Sequence, residues 1–132
     1  MKGFITTILA ALIFTACGNA QDASTTSAQA GTFEDLKVQE FLTLYGEKEN
    51  AQLLDVRTPA ETDKGIIQEA MIMDFFAEDF KTKLATLDKS QPLFVYCASG
   101  GRSGKTLKIA KEMGFSEVYN MLGGYSAFAS QK

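Results

Sequence analysis

The 132-residue sequence contains no histidine, no tryptophan and only two cysteines, and its net charge is −3. Without histidine the chain has neither a Cys–His or Ser–His catalytic pair nor a histidine metal site. Its separated cysteines do not suit a thiolate metal cluster. The mildly acidic balance, 13 basic against 16 acidic side chains, argues against nucleic-acid binding. We therefore expect no bound metal, no cofactor and no nucleic-acid partner.

The N-terminal stretch is the part of the chain that resembles a targeting signal. An apolar run from Phe4 to Phe14 follows Lys2, and it is too short to span a bilayer as a helix. Residues 14–18 read FTACG, which resembles the lipobox of bacterial lipoproteins, where the cysteine is acylated after cleavage. An ordinary signal peptide with a chance cysteine is the alternative.

The lipobox interpretation divides the chain into three parts. It predicts a signal peptide over residues 1–16, a lipidated Cys17 with a flexible tether over residues 17–31, and one folded domain over residues 32–132. The protein is then expected to be a bacterial cell-envelope lipoprotein that faces the periplasm or the surface. Its membrane contact would be the lipid anchor at Cys17, and we expect a monomer.

Cys97 is then left as an unpaired thiol, which is a liability outside the cytosol unless it is used. It follows the apolar run PLFV at 92–95 and begins the segment CASGGRS at 97–103. Gly100 and Gly101 allow backbone amides to converge, and a helical pattern over 103–113 brings a helix N-terminus beside the thiol. Both features stabilise a thiolate, so the sequence predicts a nucleophile. The alternative is a buried structural cysteine.

The residues after Cys97 are the candidates for binding an anion. Their N–H groups would form the cradle: Ala98, Ser99, Gly100, Gly101, Arg102 and Ser103. The hydroxyls of Ser99 and Ser103 would add donors, and the planar guanidinium of Arg102 suits an oxyanion. The alternative for Arg102 is a solvated residue, or one that braces the loop from outside.

Apolar periodicity predicts alternating strands and helices. The expected strands are 32–36, 51–56, 70–73, 93–96 and 117–121, and the expected helices are 38–45, 59–65, 75–87, 103–113 and a short one after Gly124. This order indicates an α/β fold with a mainly parallel sheet of four to five strands and helices on both faces. Ligands bind beyond the carboxyl ends of such strands. Asp55, Arg57 and Cys97 all lie at such ends, and we expect Asp55 and Arg57 to fix loops around the site.

Three segments in this order resemble a single-domain rhodanese, a sulfurtransferase. They are LLDVRTPAE at 53–61, FVYCASGGRS at 94–103, and the closing group of MGF at 113–115, VYNM at 118–121 and GGY at 123–125. Family members usually have a histidine where Ile66 stands and often a tryptophan where Phe128 stands. The resemblance covers nearly all of residues 32–132.

The resemblance implies transfer of sulfane sulfur from a small donor such as thiosulfate to cyanide or a thiol, through a persulfide on Cys97. Arg102 follows Cys97 after four residues, a shorter interval than in the protein tyrosine phosphatases, which disfavours phosphate-ester hydrolysis. Two other functions remain open. One is an envelope persulfide or redox carrier that exchanges with a partner protein's thiol, and the other is a non-catalytic module that binds a partner.

Overall fold

The computed structural model describes residues 30–132, so the expectations for the signal peptide and Cys17 lie outside the described residues. The strands are β1 (Thr32–Leu36), β2 (Gln52–Asp55), β3 (Met71–Ile72), β4 (Leu93–Tyr96) and β5 (Glu117–Met121). The helices are α1 (Val38–Glu47), α2 (Pro59–Thr62), α3 (Phe80–Leu84), α4 (Gly101–Glu112) and α5 (Gly124–Ala129). Within residues 30–132, none of the helices has the length and apolar character needed to cross a membrane.

The five strands form one sheet in the order β1-β5-β4-β2-β3, with every neighbouring pair parallel. β4 is the central strand, and all four of its residues are buried. A parallel strand covered on both faces reads as a continuous apolar run rather than an alternating one, which explains the LFVY sequence. The predicted α/β fold with a parallel sheet is confirmed.

Helices cover the two faces of the sheet and define two cores. Alternate residues of a strand point to opposite faces, so Val95 packs in the core that contains Leu84 of α3 and Ala110 of α4. Phe94 packs on the other face, where Phe41 of α1 stacks edge-on at a ring distance of 5.1 Å. The parallel sheet therefore brings every strand's carboxyl end to one edge, which we call the carboxyl edge.

Helix α3 is shorter than the helix predicted over 75–87. The Asp74 side chain accepts the Phe76 N–H at 2.9 Å, and the Ala77 and Phe80 amides each bond three residues back. An aspartate that bonds its neighbouring backbone competes with helix formation, so this segment makes consecutive turns instead. Phe76 is consequently left 69% exposed at the carboxyl edge.

Candidate functional site

Cys97 directly follows β4, at the centre of the carboxyl edge. Its Sγ accepts hydrogen bonds from the Gly100 amide at 3.1 Å and from the Ser103 hydroxyl at 3.4 Å. Gly100 has φ of 97°, a left-handed conformation that suits glycine and turns the chain back over the sulfur into α4. Within the described residues Cys97 forms no disulfide, and it is only 1% exposed, so the loop encloses the thiol.

The surroundings of Cys97 favour its thiolate. Burial raises the pKa of the thiol, but hydrogen bonds from the Ser103 hydroxyl and from the amides of Ser103, Ser99 and Gly100 outweigh burial and bring that pKa below its ordinary value. The N-terminus of α4 adds a favourable dipole at the same place. The Ser103 hydroxyl and the loop amides thus favour the thiolate in a chain without histidine.

The segment after β5 supports the Cys97 loop from beside it. The Tyr125 amide donates to the Cys97 carbonyl at 2.7 Å, and the Ser126 amide donates to the Ala98 carbonyl at 3.0 Å. Gly124 makes this contact possible, because a Cβ there would lie 2.3 Å from the Cys97 carbonyl oxygen. The sequence showed the Gly123–Gly124 turn but not its contact with the loop.

Asn120 of β5 is a further support that the sequence did not single out. Its Nδ2 donates to Asp35 Oδ1 at 2.8 Å and to the Gly100 carbonyl at 3.4 Å, and the residue is 3% exposed. The amide therefore links β1 to the loop at the position where the loop turns back. An asparagine between the apolar residues Val118 and Met121 was the available signal.

Arg102 makes a two-bond ion pair with Glu61 of α2. Nη1 lies 2.8 Å from Glu61 Oε2 and Nη2 lies 2.7 Å from Oε1. The hydrogen bonds to Glu61 raise the pKa of Arg102, and so does the negative charge of the Cys97 thiolate. Whether Arg102 binds an anion or braces the loop from outside stays a prediction. The Arg102 hydrogen bonds lower the pKa of Glu61 to about 2. Glu61 was not among the predicted site residues, although TPAE at 58–61 is a capping-box pattern.

Asp55 and Arg57 form a buried pair at the end of β2. Arg57 Nη2 lies 2.7 Å from Asp55 Oδ2, and the two side chains are 3% and 0% exposed in that order. The same nitrogen donates to the Gly65 carbonyl at 2.7 Å, and the guanidinium lies 3.9 Å from the Tyr125 ring centre. The pair thus ties the segment after α2 to α5, next to the loop that contains Cys97.

The other predicted site residues surround the thiol in different ways. Ser99 is exposed and contributes its amide to Cys97, whereas Gly101 is exposed and begins α4. Ser103 is fully buried, so its hydroxyl is directed at the sulfur rather than at solvent. Lys105 is exposed one turn further along α4. The structure therefore brings the segment 97–103 together around one sulfur atom.

Comparisons with known proteins agree with this geometry. The rhodanese-like domain family matches residues 37–131. A sulfurtransferase of Allochromatium vinosum is 31% identical over 81 residues, which are 61% of this chain and 74% of that protein. Thiosulfate sulfurtransferase PspE of Escherichia coli is 33% identical over 81 residues, 60% of this chain and 75% of that protein.

The solved structures include a rhodanese-like domain protein from Staphylococcus aureus. Its TM-score is 0.63 at 26% sequence identity, and the match covers 72% of this chain and 90% of that one. The family match spans most of the described residues, including strands β2 to β5, the Cys97 loop and the supporting segment after β5. The chain therefore belongs to the rhodanese-like domain family.

Proposed function

We propose that the protein is a sulfurtransferase that carries sulfane sulfur as a persulfide on Cys97. In the first step the Cys97 thiolate attacks the outer sulfur of thiosulfate, the S–S bond of the donor breaks, and sulfite leaves with the bonding electron pair. In the second step cyanide or an acceptor thiolate attacks the outer persulfide sulfur. Cyanide leaves as thiocyanate, and the Cys97 thiolate is regenerated with no net oxidation of the protein.

One observation supports this proposal most strongly: the Cys97 sulfur accepts an amide hydrogen bond from Gly100 and a hydroxyl hydrogen bond from Ser103. These donors stabilise a negative sulfur, which is the nucleophile in the first step and the leaving group in the second. A buried structural cysteine would gain nothing from them. The similarity to a protein named thiosulfate sulfurtransferase supports the same donor class.

The loop amides and the α4 N-terminus have a second role in this proposal. The outer sulfur of a persulfide would extend from Sγ, which accepts the Gly100 amide directly before α4 begins. These groups also suit the negative charge that develops on sulfite as it leaves. Because the donors belong to the backbone, they need no proton transfer to act.

Intact mass spectrometry of the purified full chain tests the proposal. Incubation with thiosulfate is expected to add the mass of one sulfur atom, and cyanide is expected to remove it. Cys97→Ser is the matched control and should gain no mass. A folded wild-type protein that gains no sulfur from thiosulfate or from an alkyl thiosulfonate would contradict the proposal and favour a non-catalytic binding module.

We further propose that this chemistry takes place at the bacterial cell envelope, with the domain tethered through a lipid on Cys17. The support is the sequence of residues 2–18, with its charged start, apolar run and FTACG segment. In that compartment the acceptor includes the thiol of a partner protein as well as small thiols.

A further inference from the structure

We propose that Glu61 determines donor specificity: it neutralises Arg102 beside the thiol, so that the site favours sulfur donors of low charge over the thiosulfate dianion. This inference rests on the proposed sulfur transfer through Cys97. It assigns a role to a residue of α2 that is 41 positions away from Arg102 in sequence.

Both terminal nitrogens of the Arg102 guanidinium donate to one carboxylate. Both of them bond to the Glu61 carboxylate, at 2.8 and 2.7 Å, in the two-bond arrangement that is strongest for arginine and carboxylate. The Phe76 ring centre lies 5.7 Å from the guanidinium carbon, within the range of a cation–π contact. An incoming oxyanion therefore has to displace a carboxylate to obtain the same bonds.

The Glu61 carboxylate is held in place by more than Arg102. Its Oε2 also accepts the Thr58 amide at 3.0 Å and the Thr58 hydroxyl at 2.8 Å, which together form the N-terminal cap of α2. The carboxylate thus stays next to the Cys97 loop whether or not Arg102 turns away. Because the Arg102 hydrogen bonds lower the pKa of Glu61 to about 2, it remains charged near neutral pH.

The charged side chains near the thiol form two neutral pairs. Arg102 and Glu61 cancel, and the buried Arg57 and Asp55 cancel as well. Lys105 lies on the exposed side of α4, outside both pairs. The two pairs therefore add no net positive charge to the site. The Cys97 thiolate repels a negatively charged donor, so each additional negative charge on the donor weakens its binding.

Two donors that differ by one charge test this inference on the full chain. Thiosulfate and methanethiosulfonate both deliver an outer sulfur to the Cys97 thiolate, and they release sulfite and methanesulfinate. Glu61→Gln keeps the size of the side chain and an oxygen that can accept from Thr58, but it releases Arg102. We expect kcat/KM for thiosulfate to rise roughly tenfold, mainly because KM falls. For methanethiosulfonate, kcat/KM should rise by less.

Two further variants separate charge from structure. Glu61→Asp keeps the carboxylate, so the ratio of the two donors should stay close to wild type. In an Arg102→Gln background, Glu61→Gln should give no gain, because the effect acts through Arg102. The proposal would be overturned if the ratio of kcat/KM for the two donors did not change in Glu61→Gln, or changed equally in Glu61→Asp. It would also be overturned if Glu61→Gln raised kcat/KM for thiosulfate in the Arg102→Gln background.

The pH profile of Cys97 alkylation by iodoacetamide gives a readout that does not need sulfur transfer. The released Arg102 should stabilise the thiolate, so the Glu61→Gln profile should move to lower pH, and the double variant should lose this shift. A profile that does not move would contradict the neutralising role of Glu61. Failure of both donors to load wild-type Cys97 would instead contradict the proposed function, which keeps the two failures distinguishable.

Discussion

At the scale of single residues, the chemistry depends on how Cys97 is surrounded. The chain has no histidine that could take a proton from the thiol, so the thiolate has to be stabilised by hydrogen bonds and dipoles. Ser103 and Gly100 provide such bonds to Sγ, and Glu61 holds Arg102. The sequence predicted Ser103 and Gly100 because they follow Cys97 closely in the chain. Glu61 lies on another helix, and no local pattern links it to Arg102.

Replacing Ser103 by alanine should raise the pKa of Cys97, because the Ser103 hydroxyl is the largest of the stabilising contacts to the thiolate. A hydrogen bond worth about 1 kcal/mol corresponds to a roughly fivefold slower alkylation by iodoacetamide at neutral pH. The full pH profile should move to higher pH. Ser99→Ala is the matched control, since Ser99 is exposed and contributes its amide. Equal rates for Ser103→Ala and wild type would contradict this account.

Glu61 should make the protein sensitive to acid. Its pKa is about 2 in the folded protein, against an ordinary value of 4.5, because of its hydrogen bonds to Arg102. The ion pair thus stabilises the fold above pH 4.5, and its contribution is lost as the pH falls towards 2. The loss is about 1 kcal/mol or less, because both side chains are partly exposed.

Urea unfolding at a series of acidic pH values measures this loss. The free energy of unfolding should fall more steeply for wild type than for Glu61→Gln between pH 4.5 and 2. Parallel curves would show that the pair does not contribute to stability.

At the scale of elements, two turns at the carboxyl edge hold the site together. One joins β4 to α4 through Gly100, and the other joins β5 to α5 through Gly123 and Gly124. All three glycines have positive φ, and backbone amides of the second turn donate to carbonyls of the first. The predicted strand boundaries and helix α4 came from apolar periodicity, which is local. Helix α3 was predicted too long because Phe76 continues the helical spacing of Phe80 and Leu84, whereas Asp74 bonds the backbone of a turn.

Gly124→Ala should destabilise the protein and distort the Cys97 loop. A Cβ at Gly124 would lie 2.3 Å from the Cys97 carbonyl oxygen, and φ there is +56°. We expect a loss of about 2–3 kcal/mol in the free energy of unfolding. Gly46→Ala is the matched control in α1, where a Cβ meets nothing within 4 Å. That variant should be stabilised by about 0.5–1 kcal/mol, because alanine favours helix over glycine.

Urea unfolding of both variants checks this prediction. A Gly124→Ala protein as stable as wild type would show that the turn after β5 can move away from the loop at little cost. Its Cys97 alkylation rate would then show whether the loop itself has changed.

At the scale of the whole molecule, the strand order places the site. β4 is central, so β2 with the Asp55–Arg57 pair lies on one side of Cys97 and β5 with its glycine turn lies on the other. Helices on both faces bury β4, which leaves the carboxyl edge as the place where backbone amides face a ligand. The tether and the lipid anchor predicted at Cys17 concern the residues before this domain.

The lipid-anchor proposal predicts that Cys17→Ala releases the protein from membranes. Two or more acyl chains anchor a protein stably, and the tether adds little affinity by itself. Fractionation of bacteria that express the chain should find wild type and Cys97→Ser with the membranes, and Cys17→Ala in the soluble fraction. A Cys17→Ala protein that stays with the membranes although its mass shows that residues 1–16 have been removed would contradict the acyl anchor and favour another mode of attachment.

The α/β fold, the buried strand β4 and the thiol in a glycine loop could be predicted from the amino-acid sequence. These features follow from periodicity, composition and short spacings, which act between residues that are close in the chain. Three contacts could not be predicted without the folded structure: Arg102 pairs with Glu61, Asn120 donates to the Gly100 carbonyl, and Gly124 packs against Cys97. Those contacts join segments that are far apart in the chain, and they arise because the parallel sheet brings the carboxyl ends of its strands to one edge.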